Sequence, residues 1–157
     1  MLKRTFTYTD FNGVERTEDF YFYLDKTGII KLNSKFGGGI QTKFEEIVNK
    51  LDVKELVKTV DAFIDASYGV KSSDGRRFIQ NEEVLADFKA TPAYDMLFQE
   101  LVASENAADK FSEFIKKILP ADVQKQVEEE IAKGNKKMPN LVAESNNNVI
   151  DVTPKEV

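Results

Sequence analysis

The sequence predicts an α+β fold that is mainly α-helical, with an N-terminal β-hairpin, a bundle of about five to six helices and a disordered C-terminal tail. Residues 1–24 alternate apolar and polar side chains around a turn signal, which is typical of a hairpin. Residues 25–120 repeat apolar side chains at helical spacing, and residues 121–134 predict one further surface helix. Residues 135–157 hold only isolated apolar pairs, which predicts a flexible tail.

The hairpin prediction depends on period-two alternation and on one dipeptide. Residues 2–8 alternate between apolar and polar side chains, as a strand with two different faces does. Asn12-Gly13 accepts the positive φ angles of a type I′ turn, and the aromatic-rich residues 14–24 follow as the second strand. We therefore expect Asn12 and Gly13 to be the two loop residues.

A two-residue turn fixes which residues of the two strands face each other. Both faces of the ribbon then carry aromatic side chains, with these partners: Phe20 opposite Thr5, Phe22 opposite Lys3, Tyr21 opposite Arg4 and Tyr23 opposite Leu2. The helices of one subunit can cover only one face, so we expect Phe20 and Phe22 to contact a partner or a second subunit. Two alternatives stay open, namely helices that cover both faces and a shifted register.

The helices are predicted from capping residues that precede apolar stripes. The expected N-caps are Asp52, Asn81, Thr91 and Ser104. The helix after Asp52 carries the clearest stripe, runs through Tyr68 and is expected to end at Gly69. Residues 25–36 and 44–51 show helical spacing on either side of a triple glycine. The charged, thinly apolar residues 122–133 indicate a solvated helix.

Composition argues against several classes of function. The 157 residues carry a net charge of −5, which disfavours nucleic acid and anionic membrane surfaces as partners. No apolar run approaches the roughly 18 residues that span a bilayer, and the N-terminus does not resemble a signal peptide. We therefore expect a protein that stays in the cytoplasm of the cell that makes it.

The absence of Cys and His removes the common nucleophile–base pairs, so we expect no enzyme and no cofactor. Asp61 and Asp65 lie four residues apart on the polar face of a helix, a spacing that could hold a divalent cation or an acid–base couple. Two solvated acids opposite an apolar stripe is the favoured interpretation. We therefore predict no catalytic residue and no metal ligand.

A basic turn offers a second candidate for partner binding. Arg76 and Arg77 precede Phe78, and together they could contact an acidic or aromatic partner. The alternative is that the two guanidinium groups close onto local carbonyls or carboxylates. The predicted partner-binding set therefore contains Phe20, Tyr21, Phe22, Tyr23, Arg76, Arg77 and Phe78.

The order of several segments resembles the tail assembly chaperones of long-tailed phages and prophages of Gram-positive bacteria. The resemblance covers residues 4–120 and depends on these segments: FYFYL at 20–24, SYGVKSSDGRRFI at 67–79, TPAY at 91–94, LFQEL at 97–101 and AADKF at 107–111. The YGVKS-x-DGRRF run is the most specific of them.

The resemblance implies a transient chaperone in the cytoplasm of the bacterial host. Such a protein coats the apolar tape measure protein, prevents its aggregation, leaves as tail tube subunits polymerise, and is absent from the finished virion. The family often has a second, longer form made by ribosomal frameshifting, so the tail tube protein, that longer form and self-association are further expected partners. An alternative from a different class is a structural subunit that stays in the tail.

Overall fold

The computed structural model describes residues 1–37, 39–50 and 52–132. Four strands form one sheet: β1 (Leu2–Thr9), β2 (Glu15–Phe22), β3 (Tyr68–Lys71) and β4 (Phe78–Ile79). Seven helices lie in the described part: α1 (Lys26–Lys35), α2 (Gly39–Lys50), α3 (Val53–Ser67), α4 (Glu82–Lys89), α5 (Pro92–Val102), α6 (Ala107–Ile118) and α7 (Ala121–Ala132). The α+β, mainly helical class with an N-terminal hairpin is confirmed. The predicted flexible tail, residues 135–157, lies outside the described residues.

The hairpin forms as predicted, but its loop has three residues instead of two. The backbone nitrogen of Asp10 donates to the carbonyl of Val14 at 2.8 Å, which leaves Phe11, Asn12 and Gly13 as the loop. Gly13 adopts a positive φ of 81°. The backbone nitrogen of Gly13 donates to the carbonyl of Asp10 at 3.0 Å, so a β-turn over residues 10–13 followed by a left-handed glycine replaces the two-residue type I′ turn that Asn-Gly suggests.

The longer loop shifts the strand register by one residue. Phe20 faces Arg4 and Phe22 faces Leu2, so the predicted partners of both rings are wrong. Side chains alternate between the two faces of a strand. A shift of one residue therefore places each β2 side chain on the same face as the β1 residues that the predicted register put on the opposite face. Phe20 and Phe22 consequently share a face with Leu2 and Arg4.

Two short strands that were not predicted extend the hairpin into a sheet of order β1-β2-β3-β4, antiparallel throughout. Helix α3 ends at Ser67, and Tyr68 then enters β3 opposite Phe22. The prediction that Tyr68 continues the helix and that Gly69 caps it is therefore wrong. Gly69 instead lies opposite Tyr21 within the sheet.

The inner face of the sheet packs against the helices through an aromatic cluster. Phe22 is completely buried and Phe20 is 7% exposed. Both rings contact Phe88 of α4, with centroid distances of 5.7 and 5.2 Å, and Phe88 stacks on Tyr68 at 4.2 Å. The expectation that Phe20 and Phe22 form an exposed contact surface is therefore wrong, because their own helices cover them.

Three of the four predicted N-caps are confirmed. The side chains of Asp52, Asn81 and Thr91 each accept a hydrogen bond from a backbone N–H in the first turn of the helix that follows. The prediction for Ser104 is wrong, because α6 begins at Ala107 and the Ser104 hydroxyl donates to the carbonyl of Glu100 at 2.6 Å. Ser104 therefore stabilises the end of α5.

Helix α7 has one packed face and one solvated face. Val123 and Val127 are 2% and 1% exposed, whereas Glu128 and Glu129 are exposed. The Asp122 carboxylate pairs with Lys26 of α1 at 2.6 Å. The two buried valines pack the apolar side of this charged helix against the core.

Candidate functional site

The face of the sheet that lies away from the helices is the first candidate surface. This outer face is defined by residues that the strand pairing places on the same side, namely Lys3, Thr5, Asp19, Tyr21, Lys71 and Phe78, and by Tyr23, whose ring contacts Phe78. Lys3, Thr5, Asp19 and Lys71 are exposed, and the three aromatic side chains are half-buried. The outer face is therefore open to solvent and partly aromatic.

The aromatic side chains of the outer face are held in place by their neighbours. Tyr23 meets Phe78 edge to face, with ring centroids 6.3 Å apart. The ammonium group of Lys71 lies 4.1 Å from the centroid of the Tyr21 ring, a cation–π contact. Gly69 leaves the space that the Phe78 ring occupies, since a Cβ on Gly69 would come within 2.6 Å of that ring.

One ion pair neutralises the β1 side of the outer face. Lys3 lies 3.3 Å from the Asp19 carboxylate, and the hydroxyl of Thr5 donates to the same carboxylate at 2.5 Å. The hydrogen bond from Thr5 lowers the pKa of Asp19 most, and the hydrogen bond from Lys3 lowers it further. Lys71 lies on the opposite side, next to the turn that carries Arg76 and Arg77, so this end of the sheet is positive.

The β3–β4 turn is an ordered structure that presents two guanidinium groups. Asp74 accepts hydrogen bonds from the Ser72 hydroxyl at 2.7 Å and from the backbone nitrogen of Arg76 at 3.1 Å. The Arg76 side chain is 82% exposed, with its Nε 4.0 Å from Asp74. Among the described residues, no carboxylate forms an ion pair with Arg77 or Lys71.

The structure brings together five of the seven predicted partner-binding residues. Tyr21, Tyr23 and Phe78 share the outer face, and Arg76 and Arg77 lie on the turn beside it. Phe20 and Phe22 lie on the opposite face. The place of Lys71 and Gly69 on the outer face was not predicted, because the four residues of β3 show too little alternation to indicate a strand.

A cleft beside β1 is the second candidate surface. Its volume is about 460 Å³, and Leu2 of β1 and Phe114 of α6 provide apolar walls. Its rim is charged with both signs, from these residues: Arg4, Glu100, Asp109, Lys110, Glu113 and Lys117. Arg4 and Glu100 form an ion pair at 2.5 Å that ties β1 to α5 at one side of the cleft. The opening suits an apolar side chain that has charged neighbours.

Asp61 and Asp65 converge on a lysine of a neighbouring helix. The Nζ atom of Lys89 lies 3.1 Å from Asp61 and 2.6 Å from Asp65. Burial alone would lower the pKa of Lys89, but the bonds to Asp65 and Asp61 raise it. The arrangement is therefore a structural ion-pair network that links α3 to α4.

The residues that the structure describes show neither a metal-binding cluster nor a membrane-spanning helix. In that part of the chain, no group of three or more acidic side chains is arranged to hold a metal ion. None of the helices described there is long and apolar enough to cross a membrane.

Comparison with known proteins adds one finding to this geometry. No curated protein and no solved structure matches the chain significantly. A family model described as phage tail assembly chaperone matches residues 1–156, which is nearly the whole sequence. The chain belongs to the phage tail assembly chaperone family.

Proposed function

We propose that this protein binds the tape measure protein of a long-tailed phage of Gram-positive bacteria and keeps it from aggregating during tail assembly. It acts in the host cytoplasm, leaves as tail tube subunits assemble, and is absent from the finished virion. The tail tube protein and a longer frameshifted form of the same chain are its further partners. A chaperone family indicates a non-enzymatic role, which fits a chain without His or Cys.

The observation that carries this proposal is the cleft between β1 and α6. A protein that keeps an amphipathic helix soluble must cover its apolar stripe and tolerate the charges beside it. The half-buried Leu2 offers apolar contact, whereas Phe114 is only 2% exposed. Lys110, Glu113 and Lys117 offer charges of both signs at the rim. One such cleft accommodates one apolar side chain of a helix, so several copies of the chaperone are needed to cover a long helix.

A steric block of the cleft tests the proposal. Asn106 lines the cleft, immediately precedes α6 without forming a side-chain cap bond, and is exposed. Asn106→Trp therefore fills the opening without removing a side-chain hydrogen bond that the helix needs. Glu105→Trp is the matched control, because Glu105 is exposed and adjacent but does not line the cleft. The readout is the soluble fraction of the co-expressed tape measure protein.

We expect the unmodified chain and Glu105→Trp to keep the tape measure protein soluble, and Asn106→Trp to lose most of that effect. If the unmodified chain gives no soluble tape measure protein, the proposed function is wrong. If both tryptophan variants work equally well, the function stands and the cleft is not the binding surface.

A structural subunit of the tail remains the second candidate, favoured by the open edge of β1 at the end of the sheet. Mass spectrometry of purified virions separates the two candidates. The chaperone proposal expects the protein in lysate complexes and not in particles, whereas stoichiometric presence in particles supports the structural subunit.

A further inference from the structure

The first strand of the sheet has one open edge. In the described part of the chain, β2 is the only strand that pairs with β1, which lies at the end of the sheet order. The backbone nitrogen of Asp10 donates to Val14, and hydrogen-bonded pairs alternate along an antiparallel ladder. The N–H and C=O groups of the even residues of β1 therefore point to β2, and those of the odd residues point out of the sheet.

This edge is not protected against further pairing. Residues 2–9 contain neither proline nor glycine, and their pairing with β2 continues without a bulge. Both cations of β1 are engaged in ion pairs, Lys3 with Asp19 and Arg4 with Glu100. A regular edge of this kind can accept another extended segment through backbone hydrogen bonds.

The cleft of about 460 Å³ lies on the inner side of the same edge. Of the four described strands only β1 contributes to its lining, through Leu2 and Arg4, so the cleft lies on the side of β1 away from β2. Side chains of an added strand alternate between the two faces of a sheet. Those on the inner side would enter the cleft beside Leu2, and those on the outer side would lie beside Lys3 and Thr5.

One segment of the chain has the composition that this edge requires. Four of the five residues 149–153 are β-branched, which favours an extended backbone, and Pro154 follows them without an N–H to donate. In an extended segment Ile150 and Val152 fall on one face and Asp151 on the other. At the open edge, the two apolar side chains would face the cleft and the carboxylate would face the side that carries Lys3.

This segment can reach the edge within one molecule. Helix α7 ends at Ala132, so residues 133–148 connect it to the segment. When extended, that connection spans up to about 50 Å. A domain of this size has a radius of gyration of only about 14 Å. The connection gives the segment a high effective concentration, which favours contact within one molecule over the same contact between two copies.

We propose that residues 149–153, the tail strand, bind the open edge of β1 beside residues 2–6 of the same molecule. Ile150 and Val152 then cover the cleft next to Leu2. The docked tail strand therefore competes with the tape measure protein for the cleft, a consequence that rests on the proposed function. The protein thus covers its own binding surface until a partner displaces the tail strand.

Amide hydrogen exchange of the full-length purified chain, measured by NMR, tests the docking. The tail strand accepts hydrogen bonds from the N–H groups of Lys3 and Thr5. Both amides should therefore exchange about tenfold faster in the double variant Ile150→Lys/Val152→Lys than in the unmodified chain. The amide of Thr9 also points outward but lies beyond the docked segment, so its exchange should not change.

The matched control is the double variant Leu141→Lys/Val142→Lys, which places the same charges on another apolar pair of the tail. It should keep the slow exchange of Lys3 and Thr5, and this slow exchange should not depend on protein concentration. The proposal is wrong if both amides exchange equally fast with and without Ile150 and Val152, or if the control also loses the slow exchange. Slow exchange that increases with concentration would also contradict it, because the tail strand would then bind a second copy.

Competition for the cleft is tested separately with the co-expressed tape measure protein. Removal of residues 149–157 frees the cleft, so about tenfold less chaperone should give the half-maximal soluble fraction. An unchanged amount would mean that the tail strand does not close the cleft, and would overturn the competition. If neither the full-length nor the shortened chain solubilises the tape measure protein, the proposed function is wrong, whereas the docking is decided by hydrogen exchange alone.

Discussion

Tyr94 donates its hydroxyl hydrogen to Oδ1 of Asp61 across 3.0 Å, and this bond joins α5 to α3. Burial of the phenol, together with the bond to the carboxylate, raises the pKa of Tyr94 to about 12. The neutral phenol is therefore the form that the fold stabilises. The same carboxylate also pairs with Lys89, so three helices meet at Asp61.

The raised pKa of Tyr94 predicts a loss of stability in strong alkali. A group whose pKa is higher in the folded state contributes fully below its unfolded pKa, near 10, and the contribution disappears as the pH rises through the folded value. Between pH 10 and pH 12, the free energy of unfolding of the unmodified chain should therefore fall relative to that of Tyr94→Phe. Urea unfolding of both proteins across that pH range measures the difference in their free energies of unfolding. A difference that stays constant would contradict the raised pKa of Tyr94.

Substitution of the two aspartates on α3 should affect stability unequally. Asp65 contacts Lys89 at a partly exposed site, so Asp65→Asn should lower the free energy of unfolding by less than about 1 kcal/mol. Asp61→Asn should lower it more, by about 1 to 2 kcal/mol, because the Tyr94 hydroxyl then donates to a neutral amide oxygen instead of a carboxylate, which gives a weaker bond. Urea unfolding of the two single variants makes the comparison. Equal effects would indicate that the bond from Tyr94 contributes little.

The helical part of the fold was largely predictable from the sequence because its signals are local. Asp52, Asn81 and Thr91 each lie immediately before their helices, and a cap acts within the first turn. The register of the hairpin was not predictable in the same way. It depends on the Asp10 carboxylate, which accepts two backbone N–H groups and favours a three-residue loop over the two-residue turn of Asn12-Gly13.

The candidate site was predicted only in part, because its composition depends on the register of the hairpin. An aromatic face was expected on the hairpin, and one exists, but the register decides which aromatic residues form it. The shift of one residue exchanges Phe20 and Phe22 for Tyr21 and Tyr23. Phe78 joins them through β3 and β4, whose pairing depends on contacts distant in the sequence.

Two neighbouring residues of β2 should respond differently to truncation. Phe22 is completely buried among aromatic rings, so Phe22→Ala should lower the free energy of unfolding by about 3 to 5 kcal/mol. Tyr21→Ala removes a half-buried outer-face ring and should lower it by about 1 kcal/mol. Thermal unfolding of both variants provides the test. A large loss for Tyr21→Ala with a small loss for Phe22→Ala would reverse the assigned faces.

The same substitution at two positions of α3 tests the assignment of the core. Val60 is completely buried, and Val60→Ala should lower the free energy of unfolding by about 2 kcal/mol. Val53 begins the same helix and is 63% exposed, so Val53→Ala should change it by less than about 0.5 kcal/mol. Chemical unfolding compares the two variants. Similar values at both positions would mean that the apolar stripe of α3 does not face the core.

Gly69→Ala should disturb the outer face without unfolding the protein. The added Cβ would lie 2.6 Å from the Phe78 ring and 2.8 Å from Cγ of Gln80, which is closer than real Cβ contacts. The Phe78 ring is half-buried and can turn away, so the loss in the free energy of unfolding should be only about 1 kcal/mol. Turning the ring away also removes its edge contact with Tyr23.

Urea unfolding of Gly69→Ala measures this loss in the free energy of unfolding. Gly37→Ala is the matched control, because a Cβ on Gly37 would meet no atom within 4 Å. A loss for Gly69→Ala no larger than that for Gly37→Ala would mean that the Phe78 ring does not occupy the space beside Gly69.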